Sequence, residues 1–190
     1  MNFREPLQDS IFVDFIHSVK CDVDLRDLSE AAKLIRERMP LCERKSSRGG
    51  YHSPVYSETS QSDSEVLQEL ISGITWYVSE FLENTYNRKY DLEYPEWWVM
   101  INNKGDFNVP HTHIKADLAA VFYVKTPERS GNLVLNRVDG SQYSTLPLQG
   151  KMEVVPEEGR LYLFPAHLQH WVEPSESEEE RISVVLNFFL

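Results

Sequence analysis

Four of the six histidines lie in two close groups, His111 with His113 and His167 with His170. Residues two apart on a strand project to the same face, so His111 and His113 would direct two imidazoles toward one point. Asp117 shares that parity if the strand continues without a bulge. Neutral imidazoles with an optional carboxylate suit Fe(II), Mn(II), Ni(II) or Zn(II), and the set contains no thiolate to favour a softer metal. These residues therefore predict a site for one of these divalent metals.

The residues around these histidines follow a known spacing. Residues 105–117 read Gly-x5-His-x-His-x3-Asp, which is the spacing of the first cupin metal motif with Asp in place of the usual Glu. Residues 159–170 read Gly-x5-Pro-x4-His and resemble the second cupin motif. A jelly-roll barrel would bring the two segments together although about sixty positions separate them. We therefore expect His170 to join the first pair. The other histidines, His17, His52 and His167, are interpreted as surface, packing or turn residues.

Arg181 and Ser183 share the inner face of the last predicted strand. The opposite face is apolar throughout, with Ile182, Val184, Leu186, Phe188 and Leu190. A buried Arg needs an anionic partner, because an unpaired charge away from water is costly. One candidate is the acidic loop before the strand, with Glu173, Glu176 and Glu178 to Glu180. The other is the distal carboxylate of 2-oxoglutarate, because the planar guanidinium fork matches a carboxylate.

The elements that would position these residues change in type along the chain. Residues 27–39 and the segment from Ser62 to Leu82 repeat apolar residues every three or four positions and predict two helices. Asp27 with Glu30, and Ser62 with Glu65, have capping-box spacing. From residue 96 onward the chain has short β-rich segments separated by turns. These segments are 97–102, 111–125, 132–138, 151–155, 160–164, 170–173 and 181–190.

This pattern predicts a mainly β fold with helical cover (α+β). It would be a double-stranded β-helix or jelly-roll, cupin-like barrel with the amino-terminal helices packed on one sheet. The whole chain, 1–190, would form a single domain. Residues 1–95 would be a helical support region, and residues 96–190 the jelly-roll catalytic core.

Charge and composition restrict the partners. The 190 residues include 30 acidic and 19 basic side chains, for a formal net charge of −11. This acidity argues against nucleic acid or an anionic membrane, because phosphate binding needs a basic face. No apolar run reaches about 18–20 residues and no apolar signal segment begins the chain, so we expect a cytoplasmic protein. Only Cys21 and Cys42 occur, which excludes a disulfide scaffold or a cysteine zinc cluster. The sequence is also compatible with a homodimer.

Taken together, several segments resemble the Fe(II)/2-oxoglutarate-dependent oxygenases, and within them the group with a Gly-Gly-aromatic-His-Ser segment ahead of the barrel. The resemblance covers about residues 45–190. The matching segments are Gly49-Gly50-Tyr51-His52-Ser53, Trp98 to Asn102, His111-Thr112-His113, Val121 to Val124, Gly159 to Pro165, His170 to Pro174, Arg181-Ile182-Ser183 and Asn187-Phe188. Where the broad superfamily carries Asp or Glu two residues after the first His, this chain has His113.

The resemblance implies Fe(II), 2-oxoglutarate as cosubstrate, and O2, with oxidation (hydroxylation in the simplest case) of an unidentified small-molecule or protein substrate. The ligands would be His111, His113 and His170, or two of these with Asp117, and the metal centre would be the only catalytic group. Two other functions stay open. One is a cupin-type isomerase or dioxygenase that does not use 2-oxoglutarate, and the other is a non-catalytic binding barrel.

The resemblance also implies where 2-oxoglutarate binds. Arg181 and Ser183 would hold it, with Tyr123 and Asn102 as further candidates. Residues 43–64 and 139–150 are candidates for the entrance used by the primary substrate.

Overall fold

The computed structural model describes residues 14–41, 45–137 and 150–190. Its helices are α1 (Leu25–Arg38) and α2 (Glu65–Tyr86). Its strands are β1 (His17–Lys20), β2 (Ser47–Arg48), β3 (Tyr51–His52), β4 (Glu96–Asn102), β5 (Phe107–His111), β6 (Leu118–Lys125), β7 (Leu133–Asn136), β8 (Lys151–Val154), β9 (Arg160–Pro165), β10 (Gln169–Val172) and β11 (Arg181–Phe188). The predicted mainly β architecture with two helices is confirmed.

The strands form two antiparallel sheets. The larger has the order β1-β9-β6-β11-β4-β3, and the smaller has the order β2-β5-β10-β7-β8. In the described residues the sheets remain two open layers and do not close into one barrel. The residues before Glu96 contribute the short strands β1, β2 and β3 in addition to the helices. These strands pair at the edges of both sheets.

The two helices cover the outer face of the larger sheet, as predicted. Alternation along β11 directs its even-numbered side chains outward, into the same apolar core as the helices. The helix residues in this core are Leu28, Ala31, Ala32 and Ile35 of α1, and Leu67, Leu70, Ile71, Ile74, Val78 and Leu82 of α2. Leu34, expected in the buried stripe of α1, is instead 48% exposed. In the described residues, no helix has both the length and the apolar character needed to span a membrane.

The predicted helix starts were wrong by a few residues. The cap of α1 is Asp24, whose carboxylate accepts from the backbone N–H groups of Arg26 at 2.9 Å and Asp27 at 3.3 Å. The cap position of α2 is Ser64, and Ser62 lies outside the helix with its hydroxyl accepting from the Ser64 N–H at 3.2 Å. Capping depends on which side chain reaches the free N–H groups, so spacing alone placed the starts incorrectly.

The predicted strand over residues 111–125 was also wrong, because the chain turns in the middle of it. β5 ends at His111 and belongs to the smaller sheet, whereas β6 begins at Leu118 and belongs to the larger one. Lys115 in the connecting turn has a φ of 79°, in the left-handed region. The argument from strand parity therefore does not apply to His113 or Asp117, and both owe their positions to the turn.

Candidate active site

The three predicted imidazoles lie together between the sheets. His111 ends β5 and lies directly opposite His170 of β10 in the antiparallel ladder. His113 follows in the turn, where its backbone N–H donates to the Ala166 carbonyl at 3.0 Å. The candidate ligand atoms of the three side chains lie within 4.8 Å of one another. In the described part of the chain, this is the one group of three or more His, Cys, Asp or Glu side chains with such a geometry.

A hydrogen bond fixes the orientation of each ring. His111 Nδ1 lies 2.8 Å from the Val109 carbonyl oxygen, and His170 Nδ1 lies 2.8 Å from the Leu168 carbonyl oxygen. His113 Nδ1 contacts the amide oxygen of Asn187. An oxygen of this kind only accepts, so each Nδ1 carries the proton and each Nε2 keeps a free lone pair. Metal-binding histidines in proteins are oriented in this way.

The spacing of two Nε2 atoms matches a metal site. His113 Nε2 and His170 Nε2 lie 3.1 Å apart, and with both Nδ1 atoms protonated, neither Nε2 has a proton to donate to the other. Two lone pairs at that distance repel unless a cation lies near both. Metal–imidazole bonds of about 2.0–2.1 Å at roughly a right angle put two nitrogens about 3 Å apart. The pair therefore has the spacing of neighbouring ligands on one metal.

Burial keeps these imidazoles neutral. It lowers the pKa of His113 to about 4 and is the main reason that the pKa of His170 falls to about 3; the neighbouring imidazoles lower the latter further. Burial also lowers the pKa of His111. A metal ion binds the neutral form of imidazole. At neutral pH, the three histidines can therefore bind a metal ion with little or no release of protons.

Asp117 and His167 lie outside this group. The Asp117 backbone N–H donates to the Phe188 carbonyl at 2.9 Å, and its carboxylate accepts from the Leu190 N–H at 2.8 Å. That carboxylate stabilises the end of β11 and is not among the clustered ligand atoms. His167 is in a turn, as predicted, and its exposed Nε2 lies 3.0 Å from Asp14 Oδ1.

Two site residues, Asn187 and Trp98, lie in segments that the sequence argument matched to the family, but it gave neither of them a role. Asn187 orients His113, and the indole of Trp98 stacks on the His113 ring with centroids 5.7 Å apart. The sequence signal that could have identified them is the alternation of side chains between the two faces of each strand. Asn187 shares the inner face of β11 with Arg181, and Trp98 shares the inner face of β4 with Asn102.

Arg181 is buried beside this cluster. Its side chain lines the same cavity as the three imidazoles, together with Tyr123 and Ser183. The register explains the grouping, because Arg181 lies opposite Asn102 and Ser183 lies opposite Tyr123 in the larger sheet. Arg181 is 2% exposed, and its Cζ lies 5.9 Å from the Tyr123 ring centroid. Burial raises the pKa of Tyr123 to about 12, so its hydroxyl remains a neutral donor.

The contacts of Arg181 are few and long. Its Nη1 donates to the carbonyls of Ser130 at 3.3 Å and Gly131 at 3.2 Å, and its Nη2 donates to Asn102 Oδ1 at 3.4 Å. Within the part of the chain that the structure describes, its Nε has no hydrogen-bond partner, and neither does the Nδ2 of Asn102. The hydrogen-bonding capacity of this buried group is therefore only partly used.

The acidic loop does not neutralise Arg181. Four of its five acids pair elsewhere: Glu176 with Arg129 at 3.3 Å, Glu178 with Lys104, Glu179 with Lys125 at 2.7 Å, and Glu180 with Arg36 at 2.6 Å. Among the described residues, no carboxylate forms an ion pair with Arg181. A buried cation without an anion is costly, so the cavity favours an anionic ligand at this end.

Comparison with known families agrees with this geometry. Residues 96–187 match the family described as "Putative 2OG-Fe(II) oxygenase". These residues, just under half of the chain, are similar to the 2OG-Fe(II) oxygenases. The resemblance seen in the sequence is thereby confirmed, and with it an oxygenase that uses Fe(II) and 2-oxoglutarate. The matched segment spans β4 to β11 and contains the three clustered imidazoles and Arg181.

Solved structures share the fold over nearly the whole chain. A Pseudomonas putida prolyl-4-hydroxylase has a TM-score of 0.69 at 17% identity, covering 92% of this chain and 91% of its own. A prolyl hydroxylase from Trichoplax adhaerens, in complex with a hypoxia inducible factor peptide, has a TM-score of 0.69 at 13% identity and coverages of 92% and 83%.

The epimerase SnoN, in complex with Fe3+, alpha ketoglutarate and nogalamycin RO, has a TM-score of 0.61 at 16% identity and coverages of 93% and 79%. These likenesses confirm the predicted double-stranded β-helix fold. No curated protein matches the sequence.

Proposed function

We propose that this oxygenase is a hydroxylase, which inserts one oxygen atom into a C–H bond of its primary substrate while 2-oxoglutarate is converted to succinate and CO2. The proposal depends above all on one observation: three inward-facing neutral imidazoles share a cavity with a buried arginine that has no carboxylate partner among the described residues. The first group suits a divalent metal, and the second suits an organic anion.

His111, His113 and His170 would hold Fe(II) through their Nε2 atoms. The donor set fits this metal, because imidazole is a good ligand for iron and three protein ligands leave positions for other groups. Bound Fe(II) would supply the chemistry that couples decarboxylation of 2-oxoglutarate to transfer of an oxygen atom from O2. The Val109 and Leu168 carbonyls and the Asn187 amide oxygen would keep the three rings in their binding orientation.

Arg181 and Ser183 would bind the far carboxylate of 2-oxoglutarate. The free Nε–H of Arg181 and the buried Ser183 hydroxyl are donors on the same cavity as the imidazoles. A dianion with one end at the metal and the other at Arg181 would satisfy the buried charge. The Asn102 amide oxygen would hold the guanidinium in place by accepting from its Nη2. The Tyr123 hydroxyl would offer the carboxylate a further, neutral donor.

The remaining cavity wall is mostly apolar. Ala119, Val121, Leu133 and Phe164 line it, and all four are buried. Their side chains would exclude water from the reacting groups, which strengthens the electrostatic contacts made there. Of the segments expected to form the substrate entrance, residues 43–44 and 139–149 lie outside the described residues.

Hydroxylation is chosen over other oxidations because two of the similar structures are prolyl hydroxylases. The epimerase SnoN shares the fold, so the product must be identified by experiment.

Turnover of 2-oxoglutarate without the primary substrate tests the proposal. Purified protein loaded with Fe(II) should form succinate from 2-oxoglutarate and O2, slowly but in an iron-dependent manner. The His170→Ala protein should form none, whereas His167→Ala, a matched change at an exposed histidine, should behave as wild type. Folded, iron-loaded protein that neither binds nor consumes 2-oxoglutarate would contradict the proposal.

A further inference from the structure

Trp98 lies in a stack of rings that ends at the candidate metal ligands. Its indole is nearly parallel to the His52 ring, with centroids 5.3 Å apart and planes 7° apart. Its other contact is with His113, at 5.7 Å and 22°. Trp98 is 8% exposed and lines the cavity that contains the imidazoles. The easily oxidised indole of Trp98 is therefore separated from the proposed iron by a single side chain, that of His113.

His52 fixes the indole in this position. It is 2% exposed, and its Nδ1 lies 2.6 Å from the Ser53 carbonyl oxygen, so its ring is anchored to the backbone. A parallel ring contact of this kind restricts rotation of the indole away from the cavity. His52 is thus a positioning residue for Trp98, and the sequence argument had assigned it only a packing or surface role.

Neighbouring oxidisable side chains are less well placed. Trp97 projects to the opposite face of β4, where it is fully buried and stacks on Tyr56 at 4.4 Å. Phe164 meets His170 edge-on at 4.9 Å, but a benzene ring is harder to oxidise than an indole. Met100 lines the cavity, but in the ladders it lies opposite Ser183 and His52, whereas the Trp98 indole stacks directly on a candidate ligand ring.

We propose, on the basis of the function proposed above, that Trp98 is an internal oxidation site: when 2-oxoglutarate is consumed without the primary substrate, the indole of Trp98 is hydroxylated. O2 takes up four electrons. Two come from 2-oxoglutarate, which loses CO2 and keeps one oxygen atom in the succinate carboxylate. Two come from the indole, where a C–H bond becomes C–OH and the hydrogen ends on the new hydroxyl. No other reductant is needed.

The experiment uses the full chain with Fe(II), 2-oxoglutarate and isotopically heavy O2, without any added substrate. Trypsin releases residues 90–104 as one peptide that contains Trp97, Trp98 and Met100, so fragment masses compare all three within one molecule. We expect one heavy oxygen on Trp98 that accumulates with succinate, at a level at least about 10-fold above Trp97, because reactivity falls steeply with misplacement. Omitting 2-oxoglutarate or replacing Fe(II) by Zn(II) should abolish the label.

The outcomes separate this inference from the proposed function. Succinate formation with the label on Met100, on Trp97 or on no residue overturns the inference and leaves the function intact. Absence of succinate contradicts the function and, with it, the inference. In the Trp98→Phe protein the label should disappear from residues 90–104, and in His52→Ala it should fall because the indole is no longer held.

A fluorescence measurement that needs no turnover tests the position of Trp98 alone. Binding of Co(II), a coloured and paramagnetic ion, should quench the emission of Trp98 strongly because the indole stacks on a ligand ring. The quenching should be lost in Trp98→Phe, and unchanged quenching in that variant would contradict the placement of Trp98.

Discussion

Replacing Arg181 by Lys would test how the cavity recognises its anion. The change keeps one positive charge at a position that is 2% exposed, but removes the planar fork that can meet a carboxylate with two N–H groups. Arg181 already donates to two carbonyls and one amide at 3.2–3.4 Å, and these long contacts leave its Nε free for the ligand.

The expected loss follows from one charge-assisted hydrogen bond. Such a bond contributes roughly 1.5–3 kcal/mol, which corresponds to about 10- to 150-fold weaker binding of 2-oxoglutarate. Binding of Mn(II), measured separately, should stay within about 2-fold of wild type, since Arg181 is not a candidate metal ligand. Mn(II) replaces the oxidisable Fe(II) because it stands next to Fe(II) in the affinity series of divalent metals.

Calorimetric titration of the Mn(II)-loaded protein with 2-oxoglutarate is the assay. Arg129→Lys is the matched control, because it makes the same chemical change at an exposed residue paired with Glu176. Unfolding curves establish that each variant is folded. If folded Arg181→Lys binds 2-oxoglutarate as tightly as wild type, the guanidinium does not bind the carboxylate, and Arg181 is a structural residue only.

Other changes give distinct results. His170→Ala should weaken Mn(II) binding at least about 10-fold, as for groups that hold or orient a metal, and wild-type-like affinity would refute the ligand assignment. Asn187→Ala should weaken it by about 10-fold without removing a ligand, because one imidazole loses its orienting acceptor; an unchanged affinity would show that orientation is unimportant. Asp117→Asn should leave metal binding unchanged in the same titration, since its carboxylate caps the Leu190 N–H; loss of binding would return Asp117 to the ligand set. Gly73→Ala, in the exposed middle of α2 where a Cβ would meet nothing, should raise the free energy of unfolding by about 1 kcal/mol, and a denaturant titration showing destabilisation would contradict this.

The sequence predicted those features that depend on a regular period. Alternation along β11 places Ile182 in the helix-covered core and Arg181 in the cavity, as a period of two requires. The apolar stripe of α2 is buried as a period near 3.6 requires. These buried faces follow from local geometry. The pattern of apolar and polar residues was therefore enough to predict the fold class and the face of the sheet that lines the site.

The turn over residues 112–117 was not accessible in this way. It contains neither Gly nor Pro, and Lys115 occupies the positive-φ position where Gly or Asn is expected. Because β5 and β6 belong to different sheets, His113 reaches the cluster through the turn, and Asp117 is directed to the end of β11. The pairing of His113 with Asn187 depends on the same turn and could not be read from spacing.

A crystal structure of the protein with Mn(II) and 2-oxoglutarate, grown without O2, would test the central claim most directly. We predict one metal bound to Nε2 of His111, His113 and His170, with the 2-oxo acid end of the cosubstrate on the metal and its far carboxylate on Arg181. A metal held away from these imidazoles, or 2-oxoglutarate bound without contact to Arg181, would contradict the account.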